Sequence, residues 1–236
     1  MLTFDKTDRT YLNGSAFSSI YPFRLKGQSE ARTRIDFLKS YLPGKRVVHF
    51  GCVDHIPLIE HRRKTGKWVH EVLAQVCERV VGIDIVQAGI DYMTQNGFEA
   101  YNANAVTEEI PAAVKSQKWD YLVAGEVLEH IDDPVQFLKA IKAKYGPVTE
   151  RIIITVPNAF SWSNFRASLR NEELINTDHR FWFTGYTLAK VATEAGIEVE
   201  GLEFCQDAMP SVFSLKYFLV RNKPNFRDRL VLIGKL

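Results

Sequence analysis

The sequence predicts an α/β fold built on a doubly wound, mostly parallel sheet. Short apolar runs alternate with segments of helical hydrophobic spacing along most of the 236 residues, which is the pattern of repeated βαβ units. The strongest run covers 120–125, and an acidic stretch and a helix-start signal follow it. This order puts polar side chains at the carboxyl edge of a parallel sheet, where open α/β folds bind ligands.

The first part of the chain is predicted to contain an arm, a helix and then the start of the sheet. Residues 1–28 mix Gly, Ser, Tyr and Phe without a regular period, so we expect an ordered arm or lid there. A helix is predicted over 30–42, because three apolar side chains share one face and a Pro-Gly pair follows them. The next elements are predicted over 46–50 (strand), 68–79 (helix), 80–85 (strand) and 99–103 (weak strand).

The second part repeats the alternation. A strand over 121–125 is followed by a polar stretch and then a helix, which begins with Asp133 as N-cap and Pro134 at its first position. Another helix is predicted over 184–195, with a threonine as N-cap and a glycine after its last residue. The remaining strands are predicted over 151–156, 198–204 and 229–233.

Composition restricts the class of protein. A formal net charge of +2 with 25% charged residues indicates no general affinity for nucleic acid or anionic membrane. The three cysteines (Cys52, Cys77 and Cys205) lie in apolar contexts without metal-ligand spacing, which indicates buried, reduced thiols. The sequence has no recognisable secretory leader and no apolar run of membrane-spanning length. We therefore expect a soluble, cytoplasmic protein.

Four segments carry a resemblance to a known family. They are VVHFGCVDH (47–55), VVGIDI (80–85), WDYLVAGEVLEHIDDP (119–134) and IIITVPN (152–158). In this order they resemble the class I S-adenosylmethionine-dependent methyltransferases, of the small-molecule type with an LEH motif after the fourth strand, over roughly residues 45–204. The resemblance implies a Rossmann-like sheet of seven strands with the last strand inserted antiparallel, and S-adenosylmethionine as the cofactor.

The resemblance also implies which residues bind the cofactor. Gly51 ends the first strand of the core, where the absence of a Cβ lets a ligand approach the backbone. Asp84 ends the second strand and would accept hydrogen bonds from both ribose hydroxyls, and Asn104 with Ala105 takes the place of the residues that contact adenine. The full implied set is His49, Gly51, Cys52, Asp84, Ile85, Asn104, Ala105, Gly125 and Glu126.

The chain departs from the family pattern near its first core strand. His49 stands where an acid is usual, and Val53 and His55 stand where the second and third glycines are usual. The first glycine and the second-strand acid are 33 residues apart, where about 20 are usual, so 54–67 resembles an insertion. Structural roles therefore remain open: a turn without a ligand at Gly51, capping of the next helix by Asp84, and a loop turn formed by Asn104.

His130 and His179 are the candidate catalytic residues. An alcohol acceptor must lose a proton, and histidine titrates closest to neutral pH. His179 lies in NTDHRFWFTGYTL (176–188), which resembles the acceptor-wall segment of the family. We expect His130 to act as the base and His179 to orient the acceptor. Both histidines have structural roles as an alternative, and the aromatic run 181–183 has the alternative of being a core stripe.

Two other mechanisms remain open. In a metal-assisted enzyme, as in quinone-biosynthesis relatives with similar LEH segments, Glu126, Glu129 and His130 would share a divalent ion; the main interpretation includes no metal. In a degenerate scaffold, the missing glycines would mark a cofactor-binding or regulatory domain without catalysis.

The basic cluster of 61–64 and Lys67 has two interpretations as well, a contact for a phosphorylated acceptor or a solvated loop.

The sequence thus predicts methyl transfer from S-adenosylmethionine to a hydroxyl of a small molecule, such as a sugar or another metabolite. We expect a single methyltransferase domain, with an arm and helix (1–44), a cofactor-binding core (45–204) and C-terminal strands of the sheet (205–236). A nicotinamide-dependent reductase is disfavoured because GCVDH (51–55) lacks the GxGxxG pattern. We expect no nucleic-acid partner and no membrane span. The acceptor and the oligomeric state are not readable from the chain.

Overall fold

The computed structural model describes residues 1–24, 26–27, 29–54 and 56–236. The strands in these ranges are β1 (Leu2–Thr3), β2 (Lys26–Gly27), β3 (Arg46–Phe50), β4 (Arg79–Asp84), β5 (Ala100–Asn102), β6 (Trp119–Gly125), β7 (Thr149–Pro157), β8 (Glu198–Cys205) and β9 (Arg229–Lys235). The α-helices are α1 (Lys6–Leu12), α2 (Arg34–Tyr41), α3 (Ile56–Lys64), α4 (Val69–Val76), α5 (Gln87–Gln95), α6 (Ala112–Lys115), α7 (Pro134–Tyr145), α8 (Trp162–Ser168), α9 (Gly185–Glu194) and α10 (Leu215–Asn222).

One sheet joins all the described strands, in the order β2-β1-β8-β9-β7-β6-β3-β4-β5. The five strands from β7 to β5 are parallel, and β9 lies antiparallel between β7 and β8. The seven strands from β8 to β5 have the predicted arrangement, with the last strand of the chain inserted antiparallel. The described sheet has two strands more than predicted, because β1 and β2 extend it beyond β8. The doubly wound, Rossmann-like fold predicted from the sequence is therefore confirmed.

The central strands form because they are apolar on both faces. Val48, Leu122 and Ile153 are fully buried on three neighbouring strands, since helices cover both sides of the sheet. Parallel strands covered on both faces read as continuous apolar runs, which is why the sequence signals for β3, β6 and β7 are strong. The carboxyl ends of these strands consequently meet at one edge.

The amino-terminal segment forms an ordered arm at the edge of the sheet. β1 pairs antiparallel with β8 at the edge of the sheet, and β2 pairs with β1. Leu2 and Phe4 are buried in the main core, so this segment is anchored by its own apolar side chains. Two-residue strands have too few positions to show a period of two, so the sequence did not indicate them. The short helix α1 in the same segment was not predicted either.

Helix boundaries follow from their caps. Asp133 accepts a hydrogen bond from the Gln136 backbone N–H and Pro134 opens α7, as predicted. The helix expected over 30–42 begins only at Arg34, because Thr33 forms a capping box with Asp36. The helix expected over 68–79 ends at Val76, because Cys77 is extended and leads into β4. The suspected insertion over 54–67 contains α3 among its described residues.

The described part of the chain contains no helix that is long and apolar enough to cross a membrane.

Candidate active site

A cavity of about 1290 Å³ opens at the carboxyl ends of β3, β4 and β6. The chain visits β4 and β5 on one side of β3 before it returns to β6 on the other, so the cavity lies where the strand order reverses. Its volume exceeds the roughly 300–1,000 Å³ of pockets for single small ligands. The cavity therefore has room for a cofactor together with an acceptor.

Gly51 makes the sharp turn after β3. Its φ is +64°, and a Cβ at this position would lie 2.5 Å from Cγ2 of Val127. Both the backbone conformation and the close approach of Val127 therefore require glycine. Gly51 lines the cavity, so a ligand there can approach the backbone directly.

Val53, which replaces the second glycine of the family pattern, packs against Gly89 in α5. A Cβ on Gly89 would overlap Cγ1 of Val53, and the Val53 side chain occupies that space. The loop after β3 thus accommodates a branched side chain on its helix side. His55, the other residue at a glycine position, lies outside the described residues.

Asp84 lies at the end of β4 and is nearly buried at the cavity wall. Its Oδ2 accepts a hydrogen bond of 2.9 Å from the Val53 N–H, and its Oδ1 accepts one of 3.0 Å from the Val86 N–H. Burial raises the pKa of this carboxyl above its ordinary value, while the backbone N–H groups oppose the shift. Each oxygen keeps acceptor capacity after its single bond to the backbone.

His49 and Cys52 face the protein interior as well as the cavity. Nδ1 of His49 lies 3.2 Å from Nδ1 of His70, and both rings are buried. Burial and the neighbouring His70 lower the pKa of His49 well below its ordinary value. The position at which the family pattern usually has an acid therefore holds a neutral ring. The Cys52 side chain packs against Gly82, and burial raises the pKa of its thiol.

Ile85, Asn104 and Ala105 line the side of the cavity next to β4 and β5. The Ile85 side chain is 69% exposed, which leaves an apolar surface available to a flat ring. The Asn104 side-chain oxygen accepts hydrogen bonds from the backbone N–H groups of Val106 and Thr107. That oxygen is therefore used to form the local turn, which was the structural alternative for this residue.

Gly125 ends β6 at the cavity, and Glu126 follows it with a φ of 56°. Glu126 forms ion pairs with Arg34 of α2 (2.9 Å) and Arg229 of β9 (3.2 Å). The Thr155 hydroxyl also donates to it, at 3.0 Å. Burial alone would raise the pKa of Glu126, but the two guanidinium groups hold it below its ordinary value. Glu126 is thus an ionised carboxylate with its oxygens already engaged.

Glu129, His130 and His179 come together beside this network. The 3-10 turn Leu128–His130 follows β6, and His179 reaches it from the long connection after α8. The rings of the two histidines lie edge to face, with centroids 4.6 Å apart. One potential ligand atom from each of the three residues lies within 4.8 Å of the others. Nδ1 of His130 lies 3.2 Å from the Asp178 carbonyl oxygen.

The Glu129 carboxyl is fully buried, and neither of its oxygens has a hydrogen-bond partner among the described residues. His179 Nε2 lies 3.9 Å from Glu129 Oε1. Burial, followed by the charge of Glu126, raises the pKa of Glu129 to about 8. Burial also lowers the pKa of His179, with His130 adding to the shift. An orphaned carboxyl beside two imidazoles fits a divalent cation, which would satisfy all three.

Three further residues in the cavity were not predicted. Arg34 and Arg229 fix Glu126, and Gln206 lies just after β8. The Gln206 side chain is fully buried, yet neither end of its amide has a partner among the described residues. A polar residue directly after a predicted strand was an available signal for Gln206. No local pattern indicates that the two arginines reach Glu126, since this depends on tertiary contacts.

Both the basic cluster (61–64 with Lys67) and the aromatic run (181–183) contain residues that line the cavity and residues that pack elsewhere. Arg62 pairs with Asp54 at the cavity wall, which Lys67 also lines. Arg63 instead hydrogen-bonds to Glu71 and lies over the Trp68 ring. Within the aromatic run Phe183 is buried in the main core, whereas Trp182 lines the cavity.

Comparison with known proteins identifies similar sequences. A family model described as "Methyltransferase domain" matches residues 23–202. The ubiquinone biosynthesis O-methyltransferase of Hahella chejuensis is 27% identical over 128 residues, which are 52% of this chain and 49% of that protein. The protein with the same name from Ralstonia nicotianae is 26% identical over 209 residues, 81% of this chain and 83% of that protein. The chain thus spans about half the length of the Hahella relative.

Solved structures show the same fold. An S-adenosylmethionine-dependent methyltransferase from Mesorhizobium loti superposes with a TM-score of 0.52 and 13% identity, and covers 85% of this chain and 96% of that chain. The superposition thus covers most of both chains. The cavity at the strand ends lies where this fold binds its cofactor.

Proposed function

This chain belongs to the methyltransferase domain family, and from that premise we propose that it methylates a hydroxyl oxygen of a small molecule with the help of a divalent cation. The protein is an enzyme, a methyltransferase whose cofactor is S-adenosylmethionine. Transfer to oxygen is supported by the relatives from Hahella and Ralstonia, which are named O-methyltransferases. Retained cavity features, among them Gly51 and Asp84, favour an active enzyme over a degenerate scaffold.

The observation that carries the metal-assisted mechanism is the buried Glu129 beside two imidazoles. A buried carboxyl without partners is costly unless it stays protonated or meets a cation. Carboxylate and imidazole together are a common ligand set for divalent metals. We assign Glu129, His130 and His179 as the ligands. This set differs from the one considered for the sequence, because His179 takes the place of Glu126, whose oxygens are held by arginines.

On the cofactor side, we assign ribose recognition to Asp84. Its two oxygens are oriented by backbone N–H groups, which leaves their remaining lone pairs for the ribose hydroxyls. The backbone at Gly51 and Cys52 would receive the methionine end of the cofactor, and Ile85 would pack against the adenine ring. Because the Asn104 side-chain oxygen is engaged in its own turn, the backbone N–H of Ala105 is the better candidate for an adenine contact.

On the acceptor side, methyl transfer is an in-line displacement at the sulfonium, so positioning supplies much of the acceleration. A divalent cation, when bound, lowers the pKa of a coordinated hydroxyl. His130 Nδ1 faces the Asp178 carbonyl oxygen, which can only accept, so Nε2 is the ring nitrogen that remains for a metal or for the acceptor. We assign Gln206, with its unpaired buried amide, to a second polar group of the acceptor.

Metal-free general-base catalysis by His130 is the second candidate. The same hydrogen bond to Asp178 that prepares Nε2 for a metal also prepares it to accept a proton from the acceptor hydroxyl. His179, whose pKa is lowered by burial and by His130, would then hold the acceptor as a neutral ring. The two candidates share residues and differ in their dependence on a cation.

The names of the relatives and the lining of the cavity both suggest a class of acceptor. The relatives are named for ubiquinone biosynthesis, so a phenolic hydroxyl on a quinone precursor is a reasonable first acceptor. Part of the cavity wall is apolar and aromatic, which suits the ring of such an acceptor. The side chains concerned are Ile131, Phe137 and Trp182. No feature of the described cavity singles out a sugar.

Manganese binding tests the proposal without knowledge of the acceptor. We expect the purified protein to bind about one Mn²⁺, measured as loss of the free-ion electron paramagnetic resonance signal, and Glu129→Gln to abolish this binding. Glu109→Gln, which changes an exposed acid, serves as the matched control. Activity on catechols should then require Mg²⁺ or Mn²⁺ and stop with chelator. Activity that persists in chelator would instead support His130 as a metal-free base.

A further inference from the structure

The connection between β8 and β9 turns apolar side chains toward solvent. Phe213 is 97% exposed, and Leu215 and Phe218 on the outer face of α10 are 66% and 63% exposed. Met209 and Val212 are exposed in the same connection. A helix on the surface of a globular protein normally turns its apolar face to the core. An outward apolar face of this kind marks an interaction surface.

Most of this connection carries charges of one sign, and its two acidic residues, Asp207 and Asp228, lie at its ends. Residues 208–226 contain Lys216, Arg221 and Lys223 and no acidic residue. Arg221 and Lys223 are exposed at the end of α10, while Lys216 lies 3.9 Å from Asp228. The chain as a whole has a net charge of only +2, so the stretch 208–226 is a local concentration of positive charge. The net charge of the whole chain predicted no general affinity for anionic membranes, but it hides the uneven distribution of charge along the sequence.

A neighbouring helix continues the surface. Phe226, just after α10, contacts Phe165 and Trp162 of α8 with ring centroids 5.7 Å apart. Around α8, Phe165 and Leu169 are also exposed, with Arg166 and Arg170 beside them in the sequence. Arg170 is paired with Glu172, at 2.7 Å. Both segments leave the sheet at the edge that lines the cavity. We call the exposed side chains of 209–223 and 165–170 the apolar-basic surface.

We propose that the apolar-basic surface docks on the face of an anionic lipid bilayer. Phe213, Leu215 and Phe218 would enter the boundary between headgroups and acyl chains, and Arg221 and Lys223 would meet lipid phosphates. Apolar residues on one face with Lys and Arg at its border are the features of helices that lie in a membrane interface. A second copy of this chain would bring like charges together, and a nucleic acid would leave the apolar side chains without a partner.

Vesicle co-sedimentation tests this surface independently of methyl transfer. The full-length protein is mixed with vesicles of phosphatidylcholine alone, or with 30% phosphatidylglycerol, at low salt. We expect binding to the anionic vesicles only. Arg221→Gln and Lys223→Gln should each lower partitioning about fivefold, as expected for one cation near an anionic surface. Phe213→Ser with Phe218→Ser should lower it at least about tenfold.

Phe17→Ser with Ile20→Ser is the matched control, because these two side chains are as exposed but have no cation between residues 10 and 23. The control should bind vesicles like the wild type, and all variants should keep the wild-type unfolding midpoint. A tryptophan at position 213 (Phe213→Trp) should be quenched by brominated lipids, and one at position 20 (Ile20→Trp) should not. Wild-type binding that is absent, equal on both vesicle types or insensitive to Phe213 and Phe218 overturns the proposal. Dimerisation that requires Phe213 and Phe218 overturns it too.

Discussion

The Val53 side chain fills the space that the missing side chain of Gly89 leaves open. This contact joins the turn after β3 to the first half of α5, directly beside Asp84, whose Oδ2 accepts the Val53 N–H. Val53 stands at a position where glycine is usual, and a glycine on the facing helix provides the space for its side chain. The position of the Val53 N–H, and with it the orientation of the Asp84 carboxylate, depends on this fit.

Gly89→Ala tests the compensation. The new methyl group would overlap Val53, so we expect a loss of about 1–3 kcal/mol in the free energy of unfolding and weaker binding of S-adenosylhomocysteine. Urea unfolding and titration calorimetry measure the two effects. Adding Val53→Gly should restore cofactor binding, because it removes the overlapping side chain. If Gly89→Ala alone behaves like the wild type, the proposed compensation is not needed.

Asp84→Asn should weaken the binding of S-adenosylhomocysteine. An amide can accept from only one side, so hydrogen bonds to a charged acceptor are lost, at a cost of about 1.5–3 kcal/mol or roughly 10- to 150-fold in Kd. Calorimetric titration of the variant measures this change. Asp91→Asn on the outer side of α5 is the control and should leave Kd unchanged. Equal affinities of Asp84→Asn and wild type would remove the ribose assignment.

The pH dependence of stability should depend on Glu129. Its pKa is raised from the ordinary 4.5 to about 8 by burial and by Glu126, so between these values the folded protein keeps a proton that the unfolded chain has released. Unfolding then releases a proton, and the free energy of unfolding falls as the pH rises, by at most about 1.4 kcal/mol per pH unit.

Glu129→Gln should remove this decline. The histidines with lowered pKa values, His49, His70 and His179, gain protons on unfolding only below about pH 6.5. Their contribution to the free energy of unfolding therefore rises with pH up to about that value and stays constant above it. Urea unfolding of both proteins in chelator from pH 5.5 to 8 gives the difference. We expect the advantage of Glu129→Gln over wild type to grow with pH. A constant difference would show that Glu129 is not buried as a neutral acid.

His130→Asn and His179→Asn should each lower turnover about 10²–10⁴-fold with little change in cofactor affinity. In the metal-assisted mechanism both variants also bind Mn²⁺ more weakly, whereas a metal-free base would affect turnover alone. His61→Asn, on the exposed side of α3, is the control. Near-normal turnover of both variants on the real acceptor would withdraw both histidines from catalysis.

Gln206→Leu should raise both the stability of the protein and the KM for the acceptor. Leucine has a similar volume and removes an amide that has no hydrogen-bond partner in the described part of the chain, which favours folding by about 1 kcal/mol. The acceptor would lose a hydrogen-bonding group, so we expect at least a tenfold increase in KM without a change in cofactor affinity. Thermal unfolding and steady-state kinetics test both. A stabilised variant with wild-type KM would make Gln206 a structural defect rather than a binding residue.

The sequence predicted the sheet well because its signals are local. Continuous apolar runs mark β3, β6 and β7, and Asp133 with Pro134 marks the start of α7 in consecutive residues. The two-residue strands β1 and β2 have no such signal, since they form only by pairing with the edge of an existing sheet. Elements whose signals lie in consecutive residues could therefore be predicted from the sequence.

The candidate site was readable only where a side chain directly follows a strand. Asp84 and the segment from Gly125 to His130 stand in such positions. Glu126 was expected as a cofactor residue or a metal ligand, but its charge is met by Arg34 and Arg229, which lie far from it in sequence. The pairing of Val53 with Gly89 is equally non-local. Such contacts follow from packing, which a single sequence does not display.

The position of β9 has a consequence for synthesis on the ribosome. β9 follows β8 in the chain but lies between β8 and β7, so a nascent chain without β9 leaves a gap between two strand edges. Unpaired edges of this kind invite pairing with other chains. Arg229, the first residue of β9, also supplies half of the positive charge around Glu126. We therefore expect the cavity to be completed late in synthesis, and an incompletely synthesised chain to be prone to aggregate.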